Sequence, residues 1–316
     1  MGAALEIAAA DLERVEQLMV EVSAGSTEFL TESTTYLTRA GGKRLRPALM
    51  ALVSRLGTGP NWKIHMTAAA IEMTHLATLY HDDVIDEAEL RRGVPSANEK
   101  WGNKVAILAG DFLFARASGL AADVGGSVPR ILADAIAHVV EGQVRELRAT
   151  YDPLRSLENY NKTIEGKTAS LLRASTQLGA LLGDCPAPLV ASLAAFGEDF
   201  GFAFQVADDL LDLAASEEEL GKPPGTDLLD GVYTLPVILA VEADPSLAAV
   251  LGTPEVDVEA VRAAVLATGA FDRALEAAAT HIDRALEALA AAPESPARES
   301  LTKLTRLIID RVPVLE

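Results

Sequence analysis

Apolar residues recur along most of the chain at intervals of three and four, the spacing that places them on one face of an α-helix. The pattern predicts helices at about residues 4–22, 27–39, 43–57, 62–87, 103–123, 128–149, 156–183, 187–214, 227–242, 255–267, 270–292 and 296–310. Between them lies turn chemistry: Gly41-Gly42, Gly57-Thr58-Gly59-Pro60, Gly125-Gly126, Asp152-Pro153, Gly183 with Pro186, and Pro223-Pro224-Gly225. Alternating strand-like stretches are essentially absent. No long linker or compositional shift divides the chain, so the expected fold is all-α, one domain over 1–316 of about a dozen helices.

Composition reinforces this picture. Of 316 residues, 49% are hydrophobic, ample for a buried core, while aromatic residues make up only 5%. Abundant Ala and Leu favour helix over sheet. The formal net charge of −19 argues against a nucleic-acid partner, because phosphate contacts need a concentrated basic surface. A single cysteine, Cys185, excludes an intramolecular disulfide and fits a reducing cytoplasm. Early acids (Glu6, Asp11, Glu13) and the lack of a basic segment before an apolar core argue against a signal peptide. No run of 18 or more apolar residues occurs, so no transmembrane segment is expected.

The candidate chemistry centres on two acidic clusters. His81-Asp82-Asp83-Val84-Ile85-Asp86 closes the long apolar segment that begins near Met66. On a helix, Asp82 and Asp86 stand one turn apart with Asp83 beside them, a spacing at which like charges repel. A similar pattern returns far downstream as Asp208-Asp209-Leu210-Leu211-Asp212. Two such clusters facing each other would make a hard-metal site of oxygen ligands. Mg²⁺ suits it, since that ion takes few carboxylates, keeps waters and bridges to phosphate.

Other motifs admit two readings each. Gly41-Gly42-Lys43-Arg44-Leu45-Arg46-Pro47 is either an anion site at a helix N-terminus or a solvated basic turn. Glu72-Met73-Thr74-His75 matches the Glu-x-x-His of di-iron bundles but has no second copy; His75 shares a face with Asp82 two turns on. Ala70, Thr74, Ala77 and Thr78 form a stripe of small side chains, either a close helix contact or a channel running from the carboxylates. Arg91 and Arg92 are either surface partners of Glu87 and Glu89 or a bidentate grip on phosphate. Gly166-Lys167-Thr168 is not a P-loop, because Asn161 stands where glycine is needed and no strand precedes it. Lys167 is then an inward cation or a surface lysine.

Taken together, these motifs resemble the polyprenyl synthetase family of trans-isoprenyl diphosphate synthases, long-chain type. The likeness runs from about residue 40 to 240. It is carried by Gly41–Pro47, both Asp-rich motifs, Arg91-Arg92-Gly93, Gly110-Asp111-Phe112-Leu113, Lys167-Thr168 and Phe204-Gln205. It implies the isoprenoid synthase fold, mostly antiparallel helices around a central cavity, as a homodimer. Lys43, Arg46, His75 and Arg92 would hold isopentenyl diphosphate. Asp82, Asp86 and Asp208 would ligate Mg²⁺, more than one ion per site, supported by Asp83, Asp209 and Asp212. Arg91, Lys167, Thr168, Gln205 and Lys222 would contact the allylic diphosphate. The chain departs from the family at Gly231-Val232-Tyr233-Thr234-Leu235-Pro236, where Gly-Lys-x-Thr-Leu-Pro is frequent.

The implied reaction is head-to-tail condensation of an allylic diphosphate with isopentenyl diphosphate, repeated to build a long all-trans chain. It needs no side-chain nucleophile, so the lack of a Ser-His-Asp or Cys-His arrangement is no objection. Ala77 and Thr78 stand five and four residues before Asp82, where short-chain members carry bulky groups; with Thr74 they would set product length. Three alternatives carry the same motifs less well: a geranylgeranyl or farnesyl diphosphate synthase, a class I terpene cyclase, and a noncatalytic regulatory subunit.

Overall fold

The computed structural model describes residues 6–214, 225–253 and 255–313. The fold is all-α, as expected. Its helices are α1 (Ala9–Ser23), α2 (Glu28–Arg39), α3 (Leu45–Ser54), α4 (Trp62–Ile85), α5 (Ala97–Trp101), α6 (Asn103–Val124), α7 (Val128–Arg148) and α8 (Leu157–Ile164). A π-helical turn, Glu165–Ala169, joins α8 to α9 (Ser170–Leu182). Then come α10 (Ala187–Ala214), α11 (Thr226–Leu229), α12 (Leu235–Ala243), α13 (Val258–Ala267), α14 (Ala270–Leu289) and α15 (Pro296–Arg306).

The differences from expectation have local causes. The helix expected from 43 starts at Leu45, because Gly41, Gly42 and Arg44 all have positive φ. The helix expected to reach 87 ends at Ile85; Asp86 caps it, and Glu87 turns left-handed. The segment after it holds the one sheet among the described residues: β1 (Leu90–Arg91) pairs antiparallel with β2 (Val94–Pro95). Arg92 (φ 55°) and Gly93 (φ 76°) form its two-residue turn, the double positive φ that matches the twist of a hairpin. The helix expected over 227–242 is split. Gly231 at φ 72° stops it, and Thr234 with Pro236 starts α12.

Chain contacts group into two compact units. The first takes residues up to Ile136, Ala174–Ala194 and Ala291–Leu301. Its central helix is α4, buried on nearly every side from Ile64 to Tyr80, as expected of a helix apolar all round. Missing side chains let neighbours close on one another. A Cβ on Gly110 of α6 would lie 2.4 Å from His81, and one on Gly179 of α9 would lie 2.8 Å from the Met50 carbonyl oxygen of α3. The second unit takes Ala137–Arg173, Ala195–Ala290 and the chain from Thr302. Its core joins Tyr160, Ile164, Val206, Leu210, Tyr233, Ile238, Phe271 and Ala274.

Helices α6 and α10 are long and apolar enough, by length and composition alone, to cross a membrane, although neither is an uninterrupted apolar run. Both carry charges along their length, Asp111 and Arg116 in α6, Asp208, Asp209 and Asp212 in α10. Core helices of an all-α protein pass the same test.

Candidate active site

In the first unit the basic motif and the first acidic motif form one electrostatic assembly. The left-handed Arg44 turns its side chain inward, where it bonds Glu72 (3.3 Å), Glu16 (3.0 Å) and the Thr38 carbonyl (2.7 Å). Arg44 is therefore structural, while Lys43 is exposed and Arg46 half-buried. The Arg46 Nε is enclosed without a hydrogen-bond partner. Arg92, at the hairpin turn, gives Nη1 to the carbonyls of Leu37 (3.1 Å) and Gly41. The hairpin and the glycine turn thus hold each other. Gly42 leaves room for this: a Cβ there would lie 2.8 Å from the Arg92 guanidinium.

His75 sits within this cationic field. Burial pushes its pKa well below the usual imidazole value, and Arg46, Arg92, Arg91 and Arg44 push it further the same way. The ring is neutral at pH 7 and its surroundings are positive, a setting suited to an anion. Glu72 is the buried counter-charge, with one oxygen on Arg44 and the other unpartnered. This use as an ion-pair partner explains Glu72-x-x-His75 without iron.

The three acids of the first motif do not act alike. Asp82 is half-buried and Asp86 exposed, with the Asp86 amide bonded to the Asp82 carbonyl at 2.8 Å. Asp83 points inward, fully buried, and accepts Arg91 Nε at 2.6 Å. Burial raises its pKa, and Arg91 and Arg92 oppose the rise. The crowding expected of three carboxylates thus falls on two, and Arg91 pairs with Asp83 rather than with Glu87 or Glu89. Ala70, Thr74 and Ala77 are fully buried, with the Thr74 hydroxyl unpartnered; half-buried Thr78 donates to the His75 carbonyl at 2.7 Å.

In the second unit Lys167 and Thr168 lie on the π-helical turn. That turn packs on α7 backbone to backbone: a Cβ on Gly142 would lie 2.5 Å from the Lys167 amide nitrogen, and one on Gly166 would lie 2.5 Å from the His138 carbonyl oxygen. One helical turn beyond Gly142, Glu146 pairs with the Lys167 ammonium. Lys167 is thus an inward cation. Thr168 donates to Gln205 (2.7 Å), and Gln205 donates to Asp209 (2.9 Å). Tyr160 donates to the other Asp209 oxygen. Burial pushes the Asp209 carboxyl up to about 7 against these two hydrogen bonds, with Asp208 and Glu146 adding to the rise. Asp208 is exposed; buried Asp212 accepts the Asp227 amide (3.2 Å). Val232 is half-buried. Lys222 lies outside the described residues.

Glu146 and Tyr160 were not singled out from the sequence. The available signal was faint: each is a polar group on the inward stripe of an amphipathic helix.

The donor set fits Mg²⁺ in kind. Among the described residues no three His, Cys, Asp or Glu side chains converge as a ready-made cage. Mg²⁺ needs none, since it takes one or two carboxylates and completes its octahedron with water and substrate phosphate. Burial is the main cause of the raised Asp209 pKa, and Asp208 and Glu146 add negative charge beside it that a cation would offset.

Comparison with known proteins gives a consistent result. The polyprenyl synthetase family profile matches residues 27–267. A nonaprenyl diphosphate synthase of Mycobacterium tuberculosis is 42% identical over 310 residues, 96% of this chain and 92% of that protein. The crystal structure of a decaprenyl diphosphate synthase from Rhodobacter capsulatus superposes with a TM-score of 0.93 at 36% identity, covering 99% of both chains. That of a Caulobacter crescentus polyprenyl synthase, complexed with calcium and isoprenyl diphosphate, gives 0.92 at 35% identity, covering 98% of this chain and 97% of that one.

Proposed function

The chain belongs to the polyprenyl synthetase family and is a prenyltransferase of the long-chain trans-polyprenyl diphosphate type, and on that premise we propose how its residues divide the reaction. Lys43, Arg46, His75 and Arg92 bind the diphosphate of isopentenyl diphosphate. What supports this is His75, whose pKa is lowered by burial and by the charges of Arg46, Arg92, Arg91 and Arg44, together with the enclosed, unpartnered Arg46 Nε. Arg91, Lys167, Thr168, Gln205 and, in the segment not described, Lys222 bind the allylic diphosphate. Asp83 fixes Arg91 rather than a metal, a division supported by its burial and its 2.6 Å bond. Asp82, Asp86 and Asp208 ligate Mg²⁺, with Asp209 and Asp212 behind them. Calcium and isoprenyl diphosphate in the Caulobacter relative support a divalent ion beside a diphosphate.

The metal, when bound, neutralises and orients the diphosphate leaving group. The chain's own groups do the rest. Lys167, steadied by Glu146, and Arg91, steadied by Asp83, face charge that grows as the allylic C–O bond breaks. The basic cluster around His75 holds the isopentenyl double bond in attacking position. No described side chain is needed as base, because the departing diphosphate can take the proton.

Ala77, Thr78 and Thr74 set product length; the small size of all three supports a path for a hydrocarbon tail. The enzyme works as a homodimer in the cytoplasm. Val140, Val144 and Leu147, each about half exposed on one face of α7, support a second copy as partner, and a lone cysteine suits a reducing compartment. Mass analysis of products from isopentenyl diphosphate, Mg²⁺ and a set of allylic primers tests the reading. Products of several added isoprene units support it; conversion of an allylic diphosphate alone would instead mark a cyclase.

A further inference from the structure

Arg155, in the loop before α8, has not entered the account so far. Only 6% of it is exposed. Its Nη1 donates to the Tyr233 carbonyl (2.9 Å) and its Nε to Asn159 (3.0 Å). Its guanidinium carbon lies 5.6 Å from the Tyr160 ring centre. Nη2 is enclosed with no hydrogen-bond partner. Buried arginines ordinarily meet a carboxylate, because an enclosed charge without one is costly. Here the carboxylates of Glu146, Asp209 and Asp152 act on it only through space. Its neighbours are the groups of the second acidic motif: Tyr160 holds Asp209, and Glu146 holds Lys167.

We propose that Arg155 is a positioning residue of the allylic-diphosphate half of the site, a buried cation that adds positive potential there without touching substrate. Two arms carry its effect. Through Tyr160 it backs the hydroxyl that steadies Asp209. Through the Tyr233 carbonyl it anchors the 231–234 segment, whose Val232 brings no charge of its own. Glu146 and Asp209 place negative charge where a diphosphate must bind, and Arg155 offsets it from behind.

This inference rests on the assignment of Lys167, Thr168 and Gln205 to the allylic diphosphate. The test measures KM for each substrate separately in wild type, R155M, R155K and R155M/V232K, with thermal melts of each. R155M raises the allylic KM by roughly tenfold, the scale of one unit charge acting over about 12 Å at an effective dielectric constant of about 20. The isopentenyl KM stays unchanged. R155K recovers most of that loss, and V232K recovers part of it by returning a charge next to the anchored carbonyl. Equal rises in both KM values, no rise, or an R155K as defective as R155M would overturn the proposal. So would failure of both R155M and R155K to fold, which would make Arg155 a structural anchor. If K167A in the same assay left the allylic KM unmoved, the site assignment itself would fall, and that outcome is distinct from a failure at Arg155 alone.

Discussion

At the scale of single residues, charge placed against burial explains the site. Asp209 shows it most clearly, with its carboxyl pushed up to about 7. A group whose pKa is raised on folding holds its proton more tightly in the native state. Its contribution is fully present below the ordinary carboxylate range and is lost as pH rises through about 7. In EDTA, therefore, wild-type melting temperature should fall more from pH 5 to pH 8 than that of D209N, with D209N the more stable at pH 8. Parallel curves would remove the account of Asp209. The same variant should lose activity, because the amide cannot back a metal-bound neighbour. On the basic side, alanine at Arg46 or Arg92 should raise the isopentenyl KM about 10- to 100-fold, the loss expected of one charge-assisted contact. Steady-state kinetics with the other substrate saturating measures it.

At the scale of elements, most of the fold was legible and two stretches were not. Helices such as 28–39, 103–124 and 187–214 were readable because three-four periodicity is a local property. Residues 87–102 were not, since a hairpin two residues long on each strand leaves no alternation to detect. The 225–236 segment hid its break in Gly231. The site divides likewise. The Asp motifs and the basic turn were visible as spacing, and Lys167-Thr168 through the family resemblance. Glu146, Tyr160 and Arg155 were not, because their significance lies in partners far away along the chain. The π-helical turn is the clearest case: it packs on α7 where Gly142 and Gly166 let two backbones touch. Gly142→Ala should push α7 off that turn, destabilise the protein by roughly 1–3 kcal/mol, and lower kcat/KM for the allylic substrate. Urea denaturation alongside kinetics checks both; a stable, fully active G142A would contradict the close contact.

At the scale of the molecule, the excess of acid is a matter of surface and metal rather than of substrate, since the basic residues that matter gather in a few places. The apolar face of α7 formed by Val140, Val144 and Leu147 bears on assembly. V144E should shift a dimer toward monomer in sedimentation velocity, whereas an unchanged distribution would move the interface elsewhere. On the proposal that Ala77, Thr78 and Thr74 line the path of the growing tail, product length is also a whole-molecule property. The most direct measurement is mass analysis of the products made by wild type and A77F from isopentenyl diphosphate, Mg²⁺ and an allylic primer. Wild type should release a long polyprenyl diphosphate and A77F a distinctly shorter one. A wild type that adds no isopentenyl units, or an A77F whose products match wild type, would contradict elongation along the small-residue stripe.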